Sequence, residues 1–470
     1  MDGLTFKRFT GSDEDIELLK GFFVKPEIQF CDMSIGAKYI WRDEFIIDYA
    51  IVNGTLIVKE SSPDYKDFFY CPAGANAEEG LSLIEQYCRK TGQPLTYCCI
   101  DNKTAAKFIS RYPFAEVYND RNWSDYIYDA EKFKTYSGKK YGGQRNHVNK
   151  FKKLYPDYTF KQVDESDFPA IKEFLNEFER GEDFSMWSKK EEEEKVYDYI
   201  LNFRKLGNVG GLIYVGGKVI AVSFGERVGD TLVVHVEKGL KTYEGVYPLM
   251  ASEFAKAFAV NGVKYINREE DCGDMGLRIS KLQYNPIEVK EKNFVKVSTL
   301  FDKIVPPVLV STERLTVTDI REEDRQDYFT LYTDGEINRF YGYDYREDFK
   351  GGSPSPEYFM QFMRGLKQKR EEYSLAVRKD GKMVGEIVVY NFDFFAGAEI
   401  GFRFFEKARG KGYALESVSA VMEYLAGLKA KKITCRAFKE NAPSVRLIEK
   451  LGFKQVSENK DMRFYERELR

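Results

Sequence analysis

The residues best suited to chemistry lie near the C-terminus. Arg409, Gly410, Lys411, Gly412, Tyr413 and Ala414 set two glycines among two cations, just ahead of an amphipathic stretch at 413–427. Glycines let backbone N–H groups turn inward with no Cβ in the way, and a helix starting at 413 points its positive end at an anion in the loop. The segment reads as a phosphate cradle. A strand at 432–437 follows. Asn441 and Ser444 then open a second helix, which closes on Leu451, Gly452 and Phe453.

That ordered series of cradle, helix, strand and Asn-x-x-Ser helix resembles the coenzyme A site of the GNAT superfamily of N-acetyltransferases. Residues 309–317 resemble the opening strand of the branch that acetylates ribosomal-protein N-termini and small amines. The resemblance implies acetyl-coenzyme A held at Arg409, Gly410, Lys411, Gly412, Tyr413 and Ala414. It also implies a main-chain donor for the developing oxyanion on a splayed strand within residues 401–405, cofactor contacts at Phe402, Arg403 and Phe404, and a hydrogen bond from Asn441 to the pantetheine arm. The reaction implied is acyl transfer to a primary amine of a small molecule or peptide by direct attack on the thioester.

An attacking amine must first lose a proton. With a free α-amine near pKa ~8 and a lysine near ~10.4, a positioned base helps. Glu399, an acid inside an apolar strand beside the loop, is the first candidate. Glu386 and Glu466 on neighbouring strands are the others. Ser444 is the implied proton donor to the leaving thiolate. Asn441 and Ser444 are equally good N-terminal helix residues, so capping is the competing reading. Glu416, in the first turn of the loop helix, is expected to cap or to pair with Arg409. The acceptor pocket is expected in the loop region 332–356.

The elements needed to position this chemistry recur. Segments 102–114 and 272–284 are fainter copies of 441–453, and their aromatic ends fall at Phe114, Tyr284 and Phe453, two nearly equal domain-length steps. Each copy follows a short strand, and each strand an amphipathic helix. The predicted fold is α/β (α+β): three tandem GNAT-like modules at 1–130, 135–297 and 310–470, each a mixed, mostly antiparallel sheet flanked by helices. Pro306 and Pro307 make a stiff connector before the third. At the cradle position the second module has Glu244 beside Gly245, where an acid would repel pyrophosphate. The first has two acids and no base. Only the third is expected to take coenzyme A.

A chain of 470 residues with 43% hydrophobic and 31% charged residues reads as globular, with about two to four domains. A net charge of −3 gives no general attraction to nucleic acid or anionic membranes. No apolar run approaches the ~20 residues that span a bilayer, and the first residues do not read as a signal peptide. Seven scattered cysteines without a C-x-x-C pair point to a reducing cytoplasm, and with only two histidines no metal site is expected.

Segment 136–151, Tyr265, Asn267 to Arg278, Lys281, Tyr284 and Pro286 resemble uncharacterised bacterial proteins related to the C-terminal domain of phosphatidylglycerol lysyltransferases, itself a tandem GNAT-like pair. The resemblance spans essentially 1–297 and offers an aminoacyl-tRNA or a phospholipid headgroup as possible partners. Lys139, Lys140, Arg145, Lys150, Lys152 and Lys153, with His147 among them and no acid, form either a phosphate-binding stripe or a solvated helix face. Asn267, Glu269, Asp271, Arg278 and Lys281 form either a site for a zwitterion such as an aminoacyl group or an internal ion-pair network. The region is expected to bind or separately modify a substrate, or to act as a non-catalytic scaffold. His235, alternating along a strand, is expected to be packed and hydrogen-bonded.

Overall fold

The structure, a computed structural model, describes residues 4–23, 30–62, 67–180, 189–341, 346 and 354–469, of which 189–193 by their backbone alone. The chain divides into two compact units. One comprises residues 1–84, 96–105 and 117–295, and the other 85–95, 106–116 and 296–470.

The first unit holds two sheets over one continuous core. Their strands are exchanged. Strand Asp125–Asp129 joins the second sheet, between Tyr265–Asn267 and Glu288–Lys290, while Asn293–Val297 joins the first, between Leu95–Ile100 and Ala115–Asn119. The second sheet is antiparallel except where Thr231–Gly239 and Tyr265–Asn267 run parallel, paired only at residues 231–233 and 265–267.

The second unit is built on an eight-stranded sheet in the order Leu309–Ser311, Thr316–Asp319, Glu372–Lys379, Lys382–Tyr390, Gly397–Phe404, Lys432–Phe438, Met462–Glu468, Lys454–Glu458. Its one parallel neighbour pair, Gly397–Phe404 beside Lys432–Phe438, is joined by the helix Tyr413–Gly427. That helix buries Val418, Val421, Met422 and Leu425, a 3.6-residue stripe, each buried side chain contributing about 1.5–3 kcal/mol. With helix Ala442–Lys450 it covers the face carrying Ile400, Phe404, Ile433 and Cys435. Helices Arg325–Thr333 and Pro356–Gln368 pack Tyr328, Tyr332, Phe359 and Met363 against Ala376 and Met383.

The helix–strand–helix order thus occurs three times, with second helices at Asn102–Arg111, Met275–Gln283 and Ala442–Lys450. Among the described residues no helix is long and apolar enough to cross a membrane.

Candidate active site

The loop after strand Gly397–Phe404 has the geometry of an anion cradle. Gly410 and Gly412 take φ of 72° and 82°, the left-handed region that favours glycine. Arg409, Gly410, Lys411 and Gly412 are all exposed. Gly412 is the N-cap of Tyr413–Gly427 and no side chain caps that end, so the first-turn N–H groups stay available to a ligand. Arg409 Nε donates to the Phe404 carbonyl at 3.2 Å, which ties the cation to the strand end.

Glu416 does not pair with Arg409. Its carboxylate accepts from Arg314 Nε at 2.7 Å, from the Arg314 backbone N–H at 2.9 Å and from Thr312 Oγ1 at 2.5 Å. Arg314 also donates to the Lys411 carbonyl at 3.1 Å. Arg314 is thus a further cation on the loop. Sequence reasoning passed over it because it lies a hundred residues away, and its one signal was its place in the opening strand segment 309–317.

Beside the cradle the sheet opens. Gly397–Phe404 and Lys432–Phe438 pair only at 397–399 and 432–434, then diverge. The Phe405 N–H donates to Val384 at 3.1 Å, and the register with Lys382–Tyr390 is unbroken behind it. Residues 401, 403 and 405 therefore turn their main-chain groups to that neighbour, while Phe402 and Phe404 turn theirs into the opening.

The Arg403 N–H faces the neighbouring strand, and its guanidinium is buried on Glu386 at 2.7 Å and beneath Tyr332 and Tyr341 at 3.9 and 4.3 Å. It ties the sheet to the overlying Tyr332 and Tyr341, with Glu386 as its ion-pair partner.

Glu399 is the last paired residue at the vertex. It accepts from Tyr390 Oη at 2.7 Å and Asn391 Nδ2 at 2.8 Å, and lies 3.1 Å from Arg436 Nε. Glu466 stands opposite Thr434 on the same face, 3.6 Å from Lys432. Its neighbour Tyr465 turns to the other face opposite Cys435, is 1% exposed, and has a hydroxyl without a hydrogen-bond partner. No motif marked Tyr465; period-two alternation one residue from Glu466 is the only signal it had. Asn441 caps its helix, accepting from the Ser444 N–H at 3.3 Å, and Ser444 is half-buried one turn in. Of the acceptor region 332–356, residues 342–345 and 347–353 lie outside the described residues.

The polar residues around 267–281 in the first unit pair with one another. Asp271 is gripped by Arg278 at 2.7 and 2.9 Å and bonded by Tyr126 at 2.6 Å, so Arg278 has no free fork for a carboxylate. Lys281 Nζ donates to the Arg268 carbonyl at 2.6 Å and to that of Glu270, and burial lowers its pKa. Asn267 bonds Asp125 at 2.7 Å. These contacts are those of an internal ion-pair network.

The splay of the second sheet is bridged twice, by His235 to Glu269 at 2.7 Å and by Arg268 to Glu237 at 2.6 Å. His235 is fully buried, with Nε2 3.7 Å from Glu226. Burial favours the neutral ring, but the flanking Glu226 and Glu269 override it and raise His235 to about 9.

Cys31, Asp32 and Asp125 converge closely enough to suggest a metal site. Lys292 Nζ, however, stands 2.5 Å from Asp32, 2.8 Å from Asp125 and 3.2 Å from Cys31 Sγ, so an ammonium already holds that position. Burial pushes Asp125 up to about 7 against the pull of Lys292. Asp32, half-buried, is held at about 2 by Lys292 and Lys38 against the effect of burial.

The basic stripe lies on helix Gly142–Leu154 and the turn before it. Arg145 donates to the Tyr136 and Gly138 carbonyls, Lys150 to Glu244, and Lys139 and His147 are exposed.

A strand pair that splays beside an uncapped, glycine-led helix is the architecture of an acyltransferase fold, and residues 314–454 match the acetyltransferase (GNAT) domain. Residues 27–295, more than half of the chain, match the family described as phosphatidylglycerol lysyltransferase, C-terminal, and the chain belongs to that family. An uncharacterized N-acetyltransferase of Bacillus subtilis, YnaD, is 27% identical over 153 residues, 31% of this chain and 82% of its own. A second from that organism, YoaA, is 25% identical over 152 residues, 31% of this chain and 83% of its own. A conserved protein of unknown function from Bacteroides thetaiotaomicron aligns in its crystal structure with a TM-score of 0.59 at 27% identity, over 63% of this chain and 100% of that one.

Proposed function

We propose that the second unit is an acetyl-coenzyme A-dependent N-acetyltransferase acting on a primary amine. The observation that carries this is the exposed, uncapped start of helix Tyr413–Gly427, flanked by Arg409 and Lys411, at the end of a strand that splays from its parallel neighbour. The fit to a diphosphate is physical. Gly410 has nothing within 4 Å of where a Cβ would stand, and Arg409 and Lys411 are exposed on the loop while Glu416 is taken up by Arg314. Arg409, Lys411 and the N–H groups of residues 412–414 would hold the diphosphate, with Asn441 beside the pantetheine arm.

Bound there, acetyl-coenzyme A supplies the activated acyl group. The N–H groups of Phe402 and Phe404 face the opening, where they serve as fixed donors to a carbonyl oxygen. Glu399, at the vertex, takes the proton from the amine, its carboxylate oriented by Tyr390, Asn391 and Arg436. The hydroxyl of Ser444 returns a proton to the departing sulfur; Tyr465, with its unpartnered hydroxyl, is the alternative donor. For residues 27–295 the internally paired charges favour a binding or scaffolding role over aminoacyl-tRNA-dependent transfer.

Calorimetry of the full chain with acetyl-coenzyme A tests the reading. Binding is expected, and is expected to be lost when Arg409→Ala is combined with Gly412→Val. Unchanged affinity in that double variant would refute the cradle.

A further inference from the structure

The polar face of the second unit's sheet carries charges that do not balance. The register places Glu372, Tyr390 and Glu399 side by side on three adjacent strands. Two inter-strand steps separate the ends of that row, about 10 Å. Glu399 is matched by Arg436, and Glu386 by Arg403. Glu372 is not matched. Among the described residues its one hydrogen bond comes from Ser374 Oγ at 3.0 Å, and no lysine or arginine forms an ion pair with it.

Deeper on the same face, Glu386 is fully buried and its Oε1 has no partner. Between the ends of the row the face is aromatic. Tyr390 and Tyr341 flank Gly401, their nearest ring atoms 3.5 and 3.7–4.0 Å from the position of an added Cβ, and Tyr341 lies against Arg403. The opposite face is closed by the core under helices Tyr413–Gly427 and Ala442–Lys450, and helices Arg325–Thr333 and Pro356–Gln368 cover the polar face at Ala376, so in the acyltransferase reading the row Glu372, Tyr390 and Glu399 is the acceptor's route to the vertex.

We propose that the acceptor carries a second positive group, held by Glu372 about 10 Å from the nitrogen that is acylated. The inference rests on the acyltransferase reading above. The reacting nitrogen must give up its charge, so a carboxylate this far from the vertex does nothing for it. A partly buried carboxylate without a cation is costly, and a second ammonium relieves that cost through a charge-assisted hydrogen bond and the neighbouring tyrosine faces. Burial, then the nearby charge of Glu386, pushes Glu372 up to about 7. Its hold on a cation therefore switches on as pH rises through neutrality.

The test uses the full chain with acetyl-coenzyme A and a series of α,ω-diamines of increasing length, each paired with a monoamine of equal size. Thiol release gives the rate. A short peptide with lysine as its third residue spans the same distance, and running it beside the diamines separates the two sources of such a dication. The best diamine is expected to exceed its monoamine partner roughly tenfold or more in kcat/KM at pH 8, mostly through KM. In Glu372→Gln, and in the parent chain at pH 6, that ratio should fall towards one.

Calorimetry of the same amines with the coenzyme A-saturated chain gives a readout independent of turnover, and should rank them alike. Equal use of diamines and monoamines, or a preference that survives in Glu372→Gln, overturns the inference while leaving the cradle intact. Absence of both coenzyme binding and transfer overturns the acyltransferase reading and this inference with it.

Discussion

Gly245 and Gly412 do the same local job in the two units. Each starts a helix from the left-handed region, at φ of 89° and 82°, with no side-chain cap. Around Gly245 the space is taken. An added Cβ would lie 2.5 Å from the His147 carbonyl oxygen and 3.3 Å from Phe151, and Glu244 stands beside it. Around Gly412 only one Arg314 nitrogen comes near, at 3.2 Å. The splays differ in the same way. His235–Glu269 and Arg268–Glu237 bridge the first, whereas Glu399–Arg436 crosses the second only at its vertex. The difference teaches that repeating a fold does not repeat a site. A ligand is left a place only where backbone donors and side chains have not already satisfied one another.

The comparison predicts opposite sensitivities. Removing a charge from the closed network should damage the fold. Lys292→Ala strips the cation from Asp32, Asp125 and Glu270 in a setting where Lys292 is 4% exposed. The expected loss is about 3–5 kcal/mol, read as a lower urea midpoint. A loss below about 1 kcal/mol would mean that the network is open to water and the contrast is false.

The two glycines sharpen the same point. Gly245→Ala drives a methyl into a backbone carbonyl and should cost roughly 2 kcal/mol or more of stability. Gly412→Ala meets the backbone penalty, about 1–2 kcal/mol, and displaces only the flexible end of Arg314; it should weaken acetyl-coenzyme A binding by roughly tenfold or more. Thermal unfolding and calorimetry on the same pair decide it. Equal destabilisation by both variants would remove the distinction drawn between the two helix starts.

How much of this was legible beforehand follows from where the information sits. The cradle is contiguous in sequence, and its glycines, cations and helix start are local signals, so 409–414 and the helix Tyr413–Gly427 were readable from the chain. The three helix–strand–helix units were legible for the same reason. Strand exchange was not, because Asp125–Asp129 and Asn293–Val297 carry no mark of which sheet they join. Pairings set by tertiary packing were also hidden. Arg403 is paired with Glu386, Glu416 found Arg314 rather than Arg409, and Glu372 drew no attention at the start of an apolar strand. Charged residues in 267–281 could be read as a site or as a network, and only their partners distinguish the two.

The closed region also has a pH signature. His235 is raised from 6.5 to about 9 by Glu226 and Glu269 against the effect of burial. A raised pKa on a base means that the native state binds the proton more tightly. The stabilisation is therefore complete below pH 6.5 and lost as pH rises towards 9, about 3 kcal/mol across that interval. The chain has two histidines, and His147 is exposed. Imidazole proton resonances followed with pH should show one ring, assignable by His235→Gln, that stays protonated past pH 8. Titration of that ring near 6.5 would mean that the bridge across the first splay is not formed.

The smallest expected effect belongs to the open region, where removing the titrating group should stabilise the chain rather than weaken it. Glu372 is raised from 4.5 to about 7, so the native state holds its proton where the unfolded chain has already released it. Stability contributed by the neutral carboxyl is therefore lost as pH rises from 4.5 through 7, and among the described residues no ion pair to Glu372 offsets it. Glu372→Gln keeps the shape and removes the titration. It should leave the melting temperature unchanged near pH 4 and raise it at pH 8, by an amount on the order of 1 kcal/mol once the partial exposure of this strand end is allowed for. A structural acid paired within the fold would behave in reverse, with the variant less stable at pH 8. A stability gained by removing a charge is what a residue reserved for an incoming cation should show, and a bound dication should restore the balance by stabilising the parent chain more than the variant.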